Sequence, residues 1–150
     1  GRDLRFLDQR TFGGLTLAPL VDGIPGPVTH IAPDPFEECF DVDEVVRRLC
    51  ARRSAIKRSL LDQTLVSGIG NIYADETLWR VRCHPETPCS RLSQSEAVEL
   101  LQTACDVMAE AMSQGGTSFD SLYVNVNGES GWFSRVLDAY GREDEPLPPM

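Results

Sequence analysis

Gly68-Ile69-Gly70-Asn71 is the stretch whose residue types are best suited to hold a ligand, and the ligand they suit is an anion. Glycine reaches positive φ angles that other residues resist, and asparagine is a strong N-cap. The turn is therefore expected to open a helix at Asn71 with the first backbone N–H groups facing outward. Such a terminus, with an amide side chain beside it, is a ready phosphate site; the alternative is that Asn71 only caps its helix. Ahead of the turn, Arg47, Arg48, Arg52, Arg53, Lys57 and Arg58 follow one another with no acid between them. That run suits a phosphate backbone or, equally, a solvated helix face. Cys83, His84 and Cys89 are metal-ligating types, but a structural zinc site needs four ligands at tighter spacing, which favours reduced thiols.

The elements that must position these residues are mostly helical. Asp41 with Glu44 three residues on signals a helix start, followed by Val45, Val46 and Leu49 as its apolar stripe. Ser54 is expected to open a second helix with Ile56, Leu60 and Leu61 at core spacing, and Asn71 a third with Ile72, Leu78 and Trp79. Ser93 with Glu96 is a capping box. It begins a long amphipathic helix through Ala97, Leu100, Leu101, Ala104, Cys105, Met108, Ala111 and Met112, ending at Gly115-Gly116, with its Met and Cys positions read as core. Residues 4–18 read as one or two short strands turning at Phe12-Gly13-Gly14. Residues 19–38, with Pro19, Pro25, Pro27, Pro33 and Pro35, read as an extended linker. Residues 122–126 and 132–139 read as short extended segments, and the tail from Glu143 as disordered.

Composition bounds the reading. The 150 residues suit one domain with appendages. Hydrophobic residues make up 41%, yet no apolar run approaches the length of a membrane span. No secretory signal is visible, so a cytoplasmic location is expected, at the nucleoid if DNA is bound. Five cysteines without a Cys-x-x-Cys pair argue against a disulfide framework. The net charge of −9 disfavours a nucleic-acid binder until its distribution is considered. Residues 44–91 carry nine Lys or Arg against five Asp or Glu, a balance of +4, and the remainder five against eighteen, a balance of −13.

Several motifs, in order, resemble one known family. Leu60 to Trp79, preceded by Ala55-Ile56-Lys57, is followed by His84-Pro85, Gln114-Gly115-Gly116-Thr117, Asn125-Val126-Asn127-Gly128-Glu129 and Ala139-Tyr140-Gly141-Arg142-Glu143. These are similar to successive signatures of the bacterial formamidopyrimidine-DNA glycosylases, enzymes that remove oxidised purines from DNA and carry a helix, two turns, helix (H2TH) domain. Leu4-Arg5-Phe6 and residues 8–13 resemble the end of that family's N-terminal β-sandwich. The resemblance implies a mainly α chain: a β remnant and proline-rich linker over residues 1–39, the H2TH domain over 40–116, and a lesion-loop and hairpin extension over 117–150.

By the same resemblance, Asn71, Gly70 and Lys57 would grip DNA phosphates, and Arg10 with Phe12 would form a minor-groove wedge filling the gap of a flipped base. Thr117, Ser118 and Tyr123 would belong to the loop that closes over that base, while Tyr73 and Glu76 would brace the two-turn element. The family's imine-forming proline and adjacent glutamate find no match in Gly1-Arg2-Asp3, nor its zinc-finger cysteines in Leu147-Pro148-Pro149-Met150. The expectation is a truncated homologue that binds double-stranded DNA, damaged or not, without a catalytic residue, metal or other cofactor of its own and without glycosylase or AP lyase activity alone. The alternative is a protein-interaction module or regulator of base excision repair, self-associating through an exposed β edge.

Overall fold

The computed structural model describes Phe6, Asp8, residues 12–116 and residues 137–141. The packing divides the chain into a unit ending at His30 and a unit beginning at Ile31. In the first, β1 (Leu20–Val21) pairs antiparallel with β2 (Ile24–Pro25), Leu20 opposite Pro25 and Val21 opposite Ile24. Asp22 and Gly23 between them have φ of 51° and 83°. Positive φ at both central residues is what a tight hairpin turn demands, and Asp-Gly supplies it. The hairpin thus lies in the stretch expected to be linker, and residues 12–18, expected as strand, belong to no ladder. A strand is defined by its partner, and propensity at Leu15 and Leu17 supplies none; both side chains are exposed.

The second unit is helical, as expected. It comprises α1 (Val42–Cys50), α2 (Ile56–Leu60), α3 (Asn71–Arg80) and α4 (Gln94–Ser113), with a short 3-10 turn over Cys89–Arg91 ahead of α4. Helix α4 packs against both α1 and α3. Val45, Val46 and Leu49 of α1 meet Ala97, Leu100, Leu101 and Ala104 of α4 in one buried cluster, joined by Leu65, Val66 and Ile69 from the α2–α3 connection. Caps fix the helix starts. Asp41 accepts from the Glu44 N–H, and Ser93 and Glu96 form the full reciprocal box.

Three expectations are corrected. Ser54 lies outside α2, its hydroxyl bonded to the Ser59 hydroxyl at 2.7 Å. The first amides of α2 are instead satisfied from a distant segment, Ile56 N–H by the Thr87 carbonyl at 2.8 Å and Lys57 N–H by the Pro85 carbonyl at 3.2 Å. Met112 is 59% exposed rather than core, whereas Val107 is fully buried against Leu137. Cys105 is half-buried. The stripe drifts because the end of α4 turns its buried face toward a different cluster, formed with Leu137. No helix among the described residues is long and apolar enough to cross a membrane.

Candidate nucleic-acid interface

The α2–α3 connection is built on Asp62. Its Oδ1 accepts from both the N–H and the hydroxyl of Thr64, and its Oδ2 from Arg52 at 2.7 Å. These bonds favour the charged form and hold the carboxyl at about 2, down from the usual 3.8, with the Thr64 hydroxyl as the largest cause. Leu65, Val66 and Ile69 then plug into the core, and Gly68 turns the chain at φ 85°. A side chain at Gly68 would also meet Met108 Cε at 2.9 Å. Gly70 follows in extended geometry at φ −100°, so the positive angle expected there is not used.

Helix α3 begins one residue earlier than the N-cap expectation implied. Gly70 is the cap and Asn71 the first helical residue, with no side-chain cap bond. Asn71 thus stands one position past the cap, where its amide does not act as the N-cap acceptor. Gly70 and Asn71 are exposed, the first turn contains no acid, and the first bond of the helix runs from Ala74 N–H to the Gly70 carbonyl at 2.9 Å. Amides ahead of Ala74 have no carbonyl within the helix to meet, and the helix dipole adds partial positive charge at the same place.

Lys57 is brought to the same face. Its Nζ lies 2.6 Å from Asp75 Oδ1, and Asp75 stands four residues after Asn71, one turn along α3. The basic run is otherwise less open than its sequence suggests. Arg47 pairs with Glu44 at 2.6 Å, Arg52 with Asp62 at 2.7 Å, and Arg48 donates to the Thr64 carbonyl at 2.8 Å. Arg53 and Arg58 remain exposed. The acids that neutralise the run, Glu44, Asp62 and Asp75, all come from outside it, which spacing alone does not reveal.

Phe12 is 88% exposed, while Arg10, Thr117, Ser118 and Tyr123 lie outside the described residues, as do the segments 122–126 and most of 132–139 and the tail from Glu143. Glu76 is completely buried and accepts the N–H groups of Asp138, Ala139 and Tyr140 at 2.9 to 3.0 Å. Tyr73 is half-buried between the two apolar clusters. Cys83, His84 and Cys89 do not converge: Cys89 is buried with its thiol on Ser59, and His84 Nδ1 accepts from the Glu86 N–H. No group of three metal-ligating side chains occurs among the described residues. An open cleft of about 390 Å³ lies at the other end of α3, where Arg82, His84 and Arg91 mix with Glu96 and Glu99. Gln63, which sequence reading passed over, contacts the Gly68-Ile69 turn through its whole side-chain amide. Its only sequence signal was its position five residues ahead of Gly68.

Comparison with known proteins agrees with this geometry. Residues 31–122 match the formamidopyrimidine-DNA glycosylase H2TH domain. The chain is 61% identical over 150 residues to the formamidopyrimidine-DNA glycosylase of Mycolicibacterium vanbaalenii, covering 97% of this chain and 51% of that protein. It is 58% identical to the enzyme of the same name from Rhodococcus jostii, covering 99% and 52%. The chain thus spans about half the length of the curated relatives it matches. Among solved structures it resembles the MutM (Fpg) protein of Thermus thermophilus, with 37% identity and a TM-score of 0.72 over 79% of this chain and 45% of that one. It also resembles Lactococcus lactis Fpg in complex with DNA containing an abasic site, with 34% identity and a TM-score of 0.69 over 79% and 42%. A mainly α chain built around an H2TH turn, with matches of this extent, belongs to the formamidopyrimidine-DNA glycosylase family.

Proposed function

We propose that this chain supplies the DNA-gripping half of a formamidopyrimidine-DNA glycosylase, with the N-terminus of α3 holding a backbone phosphate next to a damaged nucleotide. The observation that carries this is the exposed Gly70-Asn71 terminus, with no side-chain cap bond and no acid in its first turn. Lys57, held at the same face by Asp75, is proposed as the cation that meets the same phosphate backbone. The L. lactis relative was solved with abasic-site DNA, which supports DNA as the ligand class. Phe12 with Arg10 is proposed as the wedge, and Thr117, Ser118 and Tyr123 as contributors to a lesion loop. Excision of oxidised purines and strand cleavage are the activities proposed for the whole protein.

These 150 residues are proposed to bind rather than cut. Imine chemistry needs an uncommitted amine, and the one lysine side chain in the sequence, Lys57, is engaged at 2.6 Å by the Asp75 carboxylate. Incubation with an 8-oxoguanine duplex followed by borohydride is expected to trap no covalent adduct; an adduct formed by the purified chain would overturn this. The binding reading itself is tested by fluorescence anisotropy with a short duplex carrying an abasic site. Affinity that ignores salt, or no binding at low salt, would refute it.

A second reading has one observation in its favour. All four residues of the β1–β2 ribbon are exposed, including Leu20, Val21 and Ile24, and a two-stranded ribbon of this kind is marginal alone. Contact with a protein, or with a second copy, would cover it. A monomeric mass in solution at high concentration would remove the self-association version.

A further inference from the structure

One side chain outside the α3 terminus holds the turn that leads into it. Gln63 donates through Nε2 to the Leu61 carbonyl at 3.1 Å and to the Ile69 carbonyl at 3.0 Å, and its Oε1 accepts the Gly68 N–H at 2.9 Å. Both amide hydrogens and the carbonyl oxygen are thus used, two of the three bonds on the turn itself. The residue is anchored in turn, since its own carbonyl accepts the Ala32 N–H at 2.9 Å, and the neighbouring Pro33 carbonyl accepts Ser67 N–H at 3.3 Å. Gly68 at φ 85° has the conformational freedom to take several shapes, and a bond from Gln63 to its N–H selects one. Ile69, fully buried, carries that choice into the core. Gly70 and Asn71 follow directly, so the direction in which α3 presents its first amides depends on what Gln63 holds.

We propose that Gln63 is a positioning residue for DNA-phosphate binding, acting through the Gly68-Ile69 turn on the N-terminus of α3. This rests on the phosphate reading of Asn71. Only a primary amide meets the site: two donors toward carbonyls and one acceptor toward an N–H. A carboxylate of the same length would face two carbonyl oxygens with no hydrogen to offer. Once protonated, it could again donate to one carbonyl while accepting from Gly68.

The test compares Gln63→Met, Gln63→Glu, Asn71→Ala and the unmodified chain for binding to the abasic-site duplex at low salt, each as a ratio to the unmodified chain at pH 8 and at pH 5. Gln63→Met, equal in length and neutral, is expected to bind about tenfold more weakly at both pH values, since both hydrogen bonds that hold the turn are lost. Gln63→Glu is expected to lose about tenfold or more at pH 8 and to recover part of that at pH 5, where a glutamate begins to protonate. An added charge acting at a distance would weaken Gln63→Glu alone and leave Gln63→Met unchanged. A purely structural role would lower the melting temperature without a pH-dependent recovery of the binding ratio. If Gln63→Met binds like the unmodified chain while Asn71→Ala is weakened, the positioning role is overturned and the phosphate site stands. If Asn71→Ala also binds normally, the phosphate reading is at fault and the assignment falls with it. Should Gln63→Met fail to fold, the pH response of Gln63→Glu decides, recovery supporting the role and its absence overturning it.

Discussion

Asn71 shows how a one-residue shift changes what a side chain can do. As an N-cap its amide would bond its own helix; as the first helical residue, behind an extended Gly70, it has no capping role. Asn71→Ala is therefore expected to cost DNA affinity about tenfold, the worth of one hydrogen bond to a charged group, while leaving the melting temperature almost unchanged. Gly68→Ala should do the reverse damage first. Its φ of 85° is strained for alanine, and the added methyl approaches the tip of Met108 at 2.9 Å. The flexible methionine can retreat, so the backbone term dominates, and a loss of about 1–2 kcal/mol in chemical denaturation is expected. That a turn at Gly68 leads into a helix near Asn71 was legible in residue types and spacing. Which residue caps the helix was not, because Gln63 and the buried Ile69 set the turn through contacts that no local pattern encodes.

Among the elements, those governed by local signals were the easiest to read. The start of α4 follows from Ser93 and Glu96, and Ser93→Ala is expected to destabilise by about 1 kcal/mol in a denaturant titration. The hairpin was harder, since Asp22-Gly23 sits among prolines and its turn signal was absorbed into a linker reading. Helix α2 was misplaced by one residue, its cap being Ala55 rather than Ser54, because its first amides are met by Thr87 and Pro85, some thirty residues later in the chain. The α2–α3 connection carries its own pH dependence. With the Asp62 carboxyl at about 2 in the folded state and 3.8 otherwise, its contribution is complete above the higher value and is lost as pH falls toward the lower. Thr64→Val removes the largest cause, so its stability gap from the parent should be wide at pH 7 and narrow by pH 2.5. A gap constant across that range would show that Asp62 is not the titrating group.

At the scale of the whole molecule, charge sets the character of binding. A net −9 opposes DNA at long range, and the ion pairs at Arg47, Arg52 and Lys57 leave few cations to face it. The slope of log affinity against log salt is expected to be shallow, about −2 to −3, corresponding to two or three phosphates neutralised. A slope near −6 would mean that the arginine run lies on DNA after all. The acid-free stretch from Arg47 to Arg58 suggested such a stripe; Glu44, Asp62 and Asp75 dismantle it from one side or across the fold. The sole lysine follows from the same arrangement into different territory. Reductive methylation keeps its charge, and with isotopic formaldehyde it would place one side-chain NMR signal at Lys57, beside Asp75 and one turn from Asn71. The α-amine reacts as well, so the protein comes with one lysine reporter beside that terminal signal, at the edge of its proposed DNA contact and readable without a mutation.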